Sequence, residues 1–425
     1  MPGGESIHTL TNTWSPKVTV EKPTPCTVSW GGFSTVYLEA LDPYSSYNVN
    51  PVMEEDDMLE KISKTLSEEV MRFYKRTKNM SRLLADPVGK VGLTPADVVF
   101  QRNKMTLLRY EPWEGMQEES ETPLPAPRSH PIPVLLVPSV INRHYILDLQ
   151  PGKSFVEYLV KQGFDVYMMN WGTPGGEDRY QTFDDYIELL IHASVRRIQK
   201  LTGAPKIHLV GHCLGGIMTL PYAVLHPERI QTLFNLTTPV DLRHGGILKI
   251  WTDSLEVDSF VDAFGNAPWP ILQASFHMLK PMGLVQKTAW FYEQLWNDEV
   301  IDNFMALETW VNDNVSISGE FYRTYIKEIY QKNALYNGTL VINGEKIDLR
   351  KLKMPVMNVA AAGDHIATPP SVLALQDLVP HTHNVTFKGG HIGAVVSRRA
   401  SKKLWPEITA FFEQHASENA PANGV

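Results

Sequence analysis

The residues best suited to chemistry in this 425-residue sequence lie in Ile207-His208-Leu209-Val210-Gly211-His212-Cys213-Leu214-Gly215-Gly216. An apolar run enters Gly-x-Cys-x-Gly, and a helical pattern leaves it. This is the signature of a nucleophile presented on a sharp strand-to-helix turn, here with cysteine in the reactive position. The small neighbours let the backbone approach closely. The helix that follows aims its first N–H groups at the sulfur, which favours a thiolate and a developing oxyanion. The competing reading is a buried, inert cysteine in a glycine-rich turn; the strand–turn–helix context favours the nucleophile.

Such a turn calls for an acid and then a histidine, each just after a downstream strand. Pro355 to Ala361 reads as a strand and runs into Gly363-Asp364-His365; Val385 to Phe387 reads as another and runs into Gly389-Gly390-His391. His391 is therefore expected to take the Cys213 proton and later to activate a second nucleophile. Asp364 is expected to hold the imidazole tautomer or to help activate an incoming hydroxyl itself. The oxyanion donors are expected to be the Leu214 N–H and one N–H from Pro138-Ser139-Val140-Ile141-Asn142. His365, beside the acid, is a candidate substrate-site residue. His208, His226, His381 and His383 read as structural. A cysteine-bound thioester passes readily to an alcohol, so the nucleophile type tilts the chemistry towards acyl transfer.

These residues need a scaffold. Short apolar runs at Val134–Val137, Val166–Met169, Ile207–Val210, Leu233–Leu236, Val356–Ala361 and Val385–Phe387 alternate with helical patterns such as Ser154–Gln162, Phe183–Leu201 and Gly215–Leu225. That alternation predicts an α/β fold, a mostly parallel sheet covered by helices on both faces. Chemistry collects at the carboxyl edge of such a sheet. Residues 243–337 interrupt the pattern with helical sequence carrying five of the ten tryptophans, read as a lid or cap with its aromatics mostly in a core. The expected organisation is a poorly ordered arm (1–50), a helical region and linker (51–130), a first core segment (131–242), the lid (243–337), a second core segment (338–415) and a flexible tail (416–425). Leu59, Ile62, Leu66, Val70 and Phe73 recur at helical spacing. They predict an amphipathic helix that packs on its own domain or docks a partner or an apolar surface.

Composition excludes several classes. The formal net charge of −8 provides no broad basic surface for nucleic acid. Two cysteines, Cys26 and Cys213, cannot build a disulfide framework or a cysteine-rich zinc site, so a reducing, cytoplasmic setting is expected. No apolar stretch is long enough for a transmembrane helix, and the first twenty residues lack the pattern of a secretory signal. No metal-ligand spacing and no dinucleotide fingerprint is found, so no metal or cofactor is expected.

Across Pro95 to Phe412 the sequence resembles the polyhydroxyalkanoate synthases, polyester-forming members of the α/β-hydrolase fold. The matching segments are Pro133–Pro138 with Ile141-Asn142, Tyr145–Leu149, Asp165-Val166-Tyr167 leading to Trp171-Gly172, the cysteine box, Trp310–Asn314, Gly319–Tyr322, Gly363–Ile366 and Gly390–Gly393. His212 departs from the apolar residue that many members carry beside the nucleophile. The resemblance implies a dimeric acyltransferase that polymerises (R)-3-hydroxyacyl-CoA, releases CoA and carries the chain on Cys213. It implies Asp364 as activator of the 3-hydroxyl and His391 as base for the cysteine. Ile141 and Leu214 would supply the oxyanion N–H groups, with Asn142 a further substrate-site candidate. Coenzyme A enters as part of the substrate, not as a cofactor. The implied partners are the growing polyester, the granule surface in the cytoplasm, a second copy of the chain and a second synthase subunit. The alternatives are a polyester depolymerase or acyl-CoA thioesterase on the same fold, and a non-catalytic granule-binding protein.

Overall fold

The computed structural model describes residues 55–416 apart from 87, 115, 117–122 and 281. The N-terminal arm and the C-terminal tail expected from the sequence lie outside the described residues, save for position 416. An eight-stranded sheet forms the centre. Its strands are β1 (Ala96–Arg102), β2 (Met105–Tyr110), β3 (Val134–Val137), β4 (Val166–Asn170), β5 (Ile207–His212), β6 (Ile230–Leu236), β9 (Val356–Ala361) and β10 (His383–Phe387). A two-residue hairpin, β7 (Val341–Ile342) with β8 (Glu345–Lys346), lies between β6 and β9 in the chain. The sheet order is β1-β2-β4-β3-β5-β6-β9-β10.

The pairings from β4 through β10 are parallel, while β1–β2 and β2–β4 are antiparallel. The parallel inner strands are buried on both faces, and β3, β5, β6 and β9 contain only buried residues. This is why they read as unbroken apolar runs. The edge hairpin β1–β2 escapes that pattern: β1 is mostly exposed and carries Asp97, Gln101 and Arg102. Its turn uses Asn103 at φ +53°, a left-handed conformation asparagine tolerates.

Helices α1 (Glu55–Ala85), α2 (Phe155–Lys161), α3 (His192–Thr202) and α4 (Leu214–Leu225) precede the insertion. Ser154 caps α2 by accepting the Glu157 N–H at 2.8 Å. Two apolar cores, one on each face of the sheet, hold the layers together. Tyr167, Phe183, Leu209 and Phe321 belong to one, and Phe155, Phe234, Trp405 and Phe412 to the other.

Between β6 and the β7–β8 hairpin the chain forms α5 (Gly246–Asp253), α6 (Val257–Phe264), α7 (Trp269–Met278), α8 (Gly283–Gln294), α9 (Asp298–Asn312) and α10 (Gly319–Thr324), followed by a wider π-helical turn over Tyr325–Gln331. The expectation that most tryptophans here are core is corrected. Only Trp310 is buried; Trp269 and Trp290 are exposed, and Trp251 and Trp296 are half-buried. Short helices over an open cavity have too little interior to cover that many rings.

The C-terminal half of α1 lies against α8 and α9. Asn79 is buried and donates to the Leu295 carbonyl at 2.9 Å and Asp298 at 3.0 Å; Arg82 pairs with Asp302 at 2.8 Å; the Arg72 guanidinium sits over the Trp296 ring. The earlier apolar stripe is not covered: Leu66, Val70 and Phe73 are all exposed.

Candidate active site

Strand β5 ends at His212, and Cys213 turns the chain into α4 with φ +54°, ψ −123°. A non-glycine residue at positive φ is strained and is found where function requires it. The Cys213 N–H donates to the Leu236 carbonyl at 3.0 Å, pinning the turn to the end of β6. A side chain at Gly215 would strike the Val137 carbonyl, and one at Gly211 would strike Thr219 and the backbone of Gly216. The glycines of the box are thus required by close approach of α4 to β3 and β5.

The loops after β9 and β10 are zipped together. Ala362 N–H donates to the Phe387 carbonyl at 2.8 Å and Gly363 N–H to the Gly389 carbonyl at 2.7 Å. This seats Asp364 beside His391, with the Nδ1 of His391 2.6 Å from the Oδ2 of Asp364. The other carboxylate oxygen accepts the N–H groups of Ile366 at 2.8 Å and Ala367 at 3.0 Å. Asp364 is 4 % exposed, its acceptors are committed, and it does not line the cavity.

Cys213 and His391 face a cavity of about 250 Å³ also lined by Ile141, Asn142, Leu214 and His212. Burial lowers the His391 pKa, but the charge on Cys213 and the Asp364 hydrogen bond outweigh it and hold the imidazole up at about 10. Cys213 and Asp364 thus both bear on the His391 ring, Asp364 through its hydrogen bond to Nδ1.

The loop after β3 carries the other candidate donor. The Ile141 N–H donates to the Ser139 hydroxyl at 3.2 Å. Trp171 Nε1–H donates to the Pro138 carbonyl at 3.0 Å, bracing the start of the loop. Its far end is tied to the last turn of α9 and the residues just after it. Arg143 pairs with Asp313 at 2.9 Å, the Tyr145 hydroxyl donates to the same carboxylate at 2.8 Å, and Trp310 Nε1–H donates to the Arg143 carbonyl at 2.9 Å. Asn142 donates its amide to Asn314, so its side chain is engaged with the insertion.

The sequence-derived residues Cys213, Leu214, Asp364, His391, Ile141 and Asn142 are thus brought together, Asp364 behind His391 and the rest on the cavity. His365 is not; it is exposed and does not line the cavity. Sequence reasoning missed Tyr325 and Tyr330, both buried from the π-helical turn and lining the cavity. Their spacing reads as ordinary helix, so no local signal marked them. His212 is fully buried with its ring 5.6 Å from that of His391, and neither of its ring nitrogens has a hydrogen-bond partner among the described residues. Burial, with the nearby His391 charge, lowers its pKa to about 3, so it is neutral. No group of three or more metal-ligating side chains occurs among the described residues. No helix among them is long and apolar enough to cross a membrane.

Comparison with known proteins bears on this arrangement. Residues 132–396 match the alpha/beta hydrolase fold, and residues 57–159 match the N-terminus of poly-beta-hydroxybutyrate polymerase (PhaC). The chain is 34% identical over 348 residues to the poly(3-hydroxyalkanoate) polymerase subunit PhaC of Allochromatium vinosum, covering 81% of this chain and 95% of that protein. It is 35% identical over 354 residues to the subunit of the same name from Synechocystis sp., covering 81% and 90%. The corresponding subunit of Haloferax mediterranei is 35% identical over 332 residues, covering 77% of this chain and 65% of that protein.

Proposed function

Because this chain belongs to the poly(3-hydroxyalkanoate) polymerase family, we propose that it is an acyltransferase that joins (R)-3-hydroxyacyl-CoA units into polyester through a Cys213-bound thioester. The observation that carries the reading is the line from a half-buried Cys213 on an apolar cavity to the buried His391 and Asp364, with cysteine in the nucleophile position.

Cys213 enters as thiolate beside the His391 imidazolium. The sulfur attacks the thioester carbonyl, and the oxyanion takes hydrogen bonds from the Leu214 N–H and from the Ile141 N–H, which gives up the Ser139 hydroxyl. The carbon–sulfur bond to CoA breaks, and the departing thiolate takes the proton from His391. The acylated sulfur carries no charge, so the largest support for a high His391 pKa disappears with it. His391 is then neutral and able to accept the proton of a 3-hydroxyl as that oxygen attacks the Cys213 thioester. A new ester forms and the Cys213 thiolate returns, facing imidazolium again. Each half-reaction sets the protonation state that the next one needs. In this scheme Asp364 orients and supports the imidazole without touching the hydroxyl, since its oxygens are held by His391, Ile366 and Ala367.

The reading extends to a homodimer working at the surface of its own polyester, with CoA as a product. It is tested by incubating the purified protein and a Cys213→Ala variant with (R)-3-hydroxybutyryl-CoA while following free CoA, soluble hydroxy acid and turbidity. CoA release with turbidity and little acid, absent in the variant, supports the polymerase; acid in step with CoA makes the chain a thioesterase.

A further inference from the structure

Strand β5 carries two buried histidines, His208 and His212, in very different surroundings. His208 is satisfied: its Nδ1 lies 2.8 Å from the Thr232 hydroxyl, and its ring stacks on Phe412. His212 lines the Cys213 cavity, and both of its ring nitrogens are buried without a hydrogen-bond partner. No other histidine among the described residues has both nitrogens in that state. We propose that His212 binds the hydroxyl of the incoming acyl acceptor, sharing that oxygen with His391, and so selects alcohols over other acceptors. The inference rests on the polymerase reading above.

A buried polar group without a partner is costly and calls for a cause. A neutral imidazole holds one N–H donor and one acceptor nitrogen. Burial and the nearby His391 charge keep His212 neutral, so it has an N–H for a ligand oxygen. Its ring lies 5.6 Å from that of His391, tilted by 42°. Two hydrogen bonds of about 2.8 Å meeting at a tetrahedral oxygen set their nitrogens about 4.6 Å apart. The ring spacing accommodates that separation. The Nδ1 of His391 is taken by Asp364, so the nitrogen that shares the oxygen is its Nε2.

The ligand follows from which groups meet His391 during the proposed cycle. The thioester oxygen goes to the Leu214 and Ile141 N–H groups instead. The CoA sulfur and the acceptor hydroxyl both meet His391, and sulfur accepts hydrogen bonds weakly. The hydroxyl oxygen has one proton and two lone pairs. Its proton goes to His391, one lone pair attacks the thioester carbon, and the other takes the His212 N–H. His212 keeps its own proton throughout and steadies the oxygen as negative charge builds on it. An apolar side chain at this position would leave that lone pair bare.

His212→Leu removes the donor and leaves no polar group behind, while His212→Gln restores an N–H. Each protein receives (R)-3-hydroxybutyryl-CoA with an equal mixture of methyl (R)-3-hydroxybutyrate and N-acetylcysteamine. The readout is the ratio of ester to thioester product above a Cys213→Ala blank. Both acceptors draw on the same acyl-enzyme and on His391, so a general loss of structure or of acylation cancels from the ratio. The ratio is expected to fall about tenfold in His212→Leu, the scale of one hydrogen bond, and to recover towards the wild-type value in His212→Gln. A ratio unchanged in His212→Leu, or lowered equally in both variants, overturns the proposal. If neither variant folds, NMR of histidine-labelled wild type decides. The ring N–H signal in through-space contact with the His391 ring shifts with methyl (R)-3-hydroxybutyrate and not with methyl butyrate; equal responses overturn the proposal. Free hydroxy acid as the sole wild-type product in the presence of both acceptors would instead remove the polymerase reading itself.

Discussion

His391 Nδ1 lies 2.6 Å from Asp364 Oδ2, while the second oxygen of Asp364 is held by the N–H groups of Ile366 and Ala367. The carboxylate is thereby fixed in place by its own loop, with both of its oxygens engaged. A histidine so held keeps its other ring nitrogen clear of Asp364, and in the proposed cycle that nitrogen serves Cys213 in both halves.

Replacing Asp364 by Asn keeps an oxygen for the loop N–H groups and removes the charge. We expect kcat to fall about a thousandfold or more, as for orienting acids in comparable triads, with KM little changed. Steady-state kinetics on (R)-3-hydroxybutyryl-CoA check this. A tenfold loss or less would mean that the carboxylate is not needed to hold the imidazole.

The same pair has a pH signature in stability. The folded His391 pKa is raised to about 10 from the ordinary 6.5, so its contribution is full below 6.5 and is lost as the pH rises through about 10. The melting temperature of the wild type should exceed that of Asp364→Asn most at pH 6, and the gap should close towards pH 10. A gap that widens with pH would contradict the charge pair.

Cys213→Ala removes the largest upward influence on His391 while leaving Asp364 in place. The His391 pKa should therefore fall in the variant, and NMR of histidine-labelled protein reads it directly. His212, buried and neutral, should not titrate in the same range. An unchanged His391 pKa would remove the switch between the two half-reactions.

How much of this could be read in the sequence follows from where each residue sits. Cys213 and Asp364 follow β5 and β9, and a fully buried strand leaves an unbroken apolar run that ends where the loop begins; His391 follows the edge strand β10, which is only partly buried but still ends in the short apolar run Val385–Phe387. Local pattern therefore located them. The edge hairpin β1–β2 was not read because one of its strands faces solvent and alternates weakly. Tyr325 and Tyr330 reach the cavity only because the insertion folds back over the sheet, a contact between segments distant in sequence. The exposure of Trp269 and Trp290 has the same origin: composition gives an aromatic count, while the small volume of the insertion decides how many rings it can cover. The uncovered stripe of α1 at Leu66, Val70 and Phe73 was legible as an amphipathic pattern, but a pattern does not specify what covers it.

Asp313 joins the insertion to the loop that carries the Ile141 N–H, through Arg143 and Tyr145. Asp313→Ala should loosen the oxyanion donor and lower kcat about tenfold, with a stability change under about 1 kcal/mol because the pair is partly exposed. Parallel kinetics and thermal melts separate the two. A large loss of stability with unchanged kcat in the folded fraction would make the contact purely structural.

The most direct test of the central claim is rapid quenching of the wild-type protein with (R)-3-hydroxybutyryl-CoA, followed by peptide mass mapping of the acyl group. The account predicts a 3-hydroxybutyryl thioester on the peptide carrying Cys213 within the first turnover, matched by one equivalent of CoA and absent in Cys213→Ala. CoA release with no acyl group on Cys213, or an adduct on another residue, would contradict it.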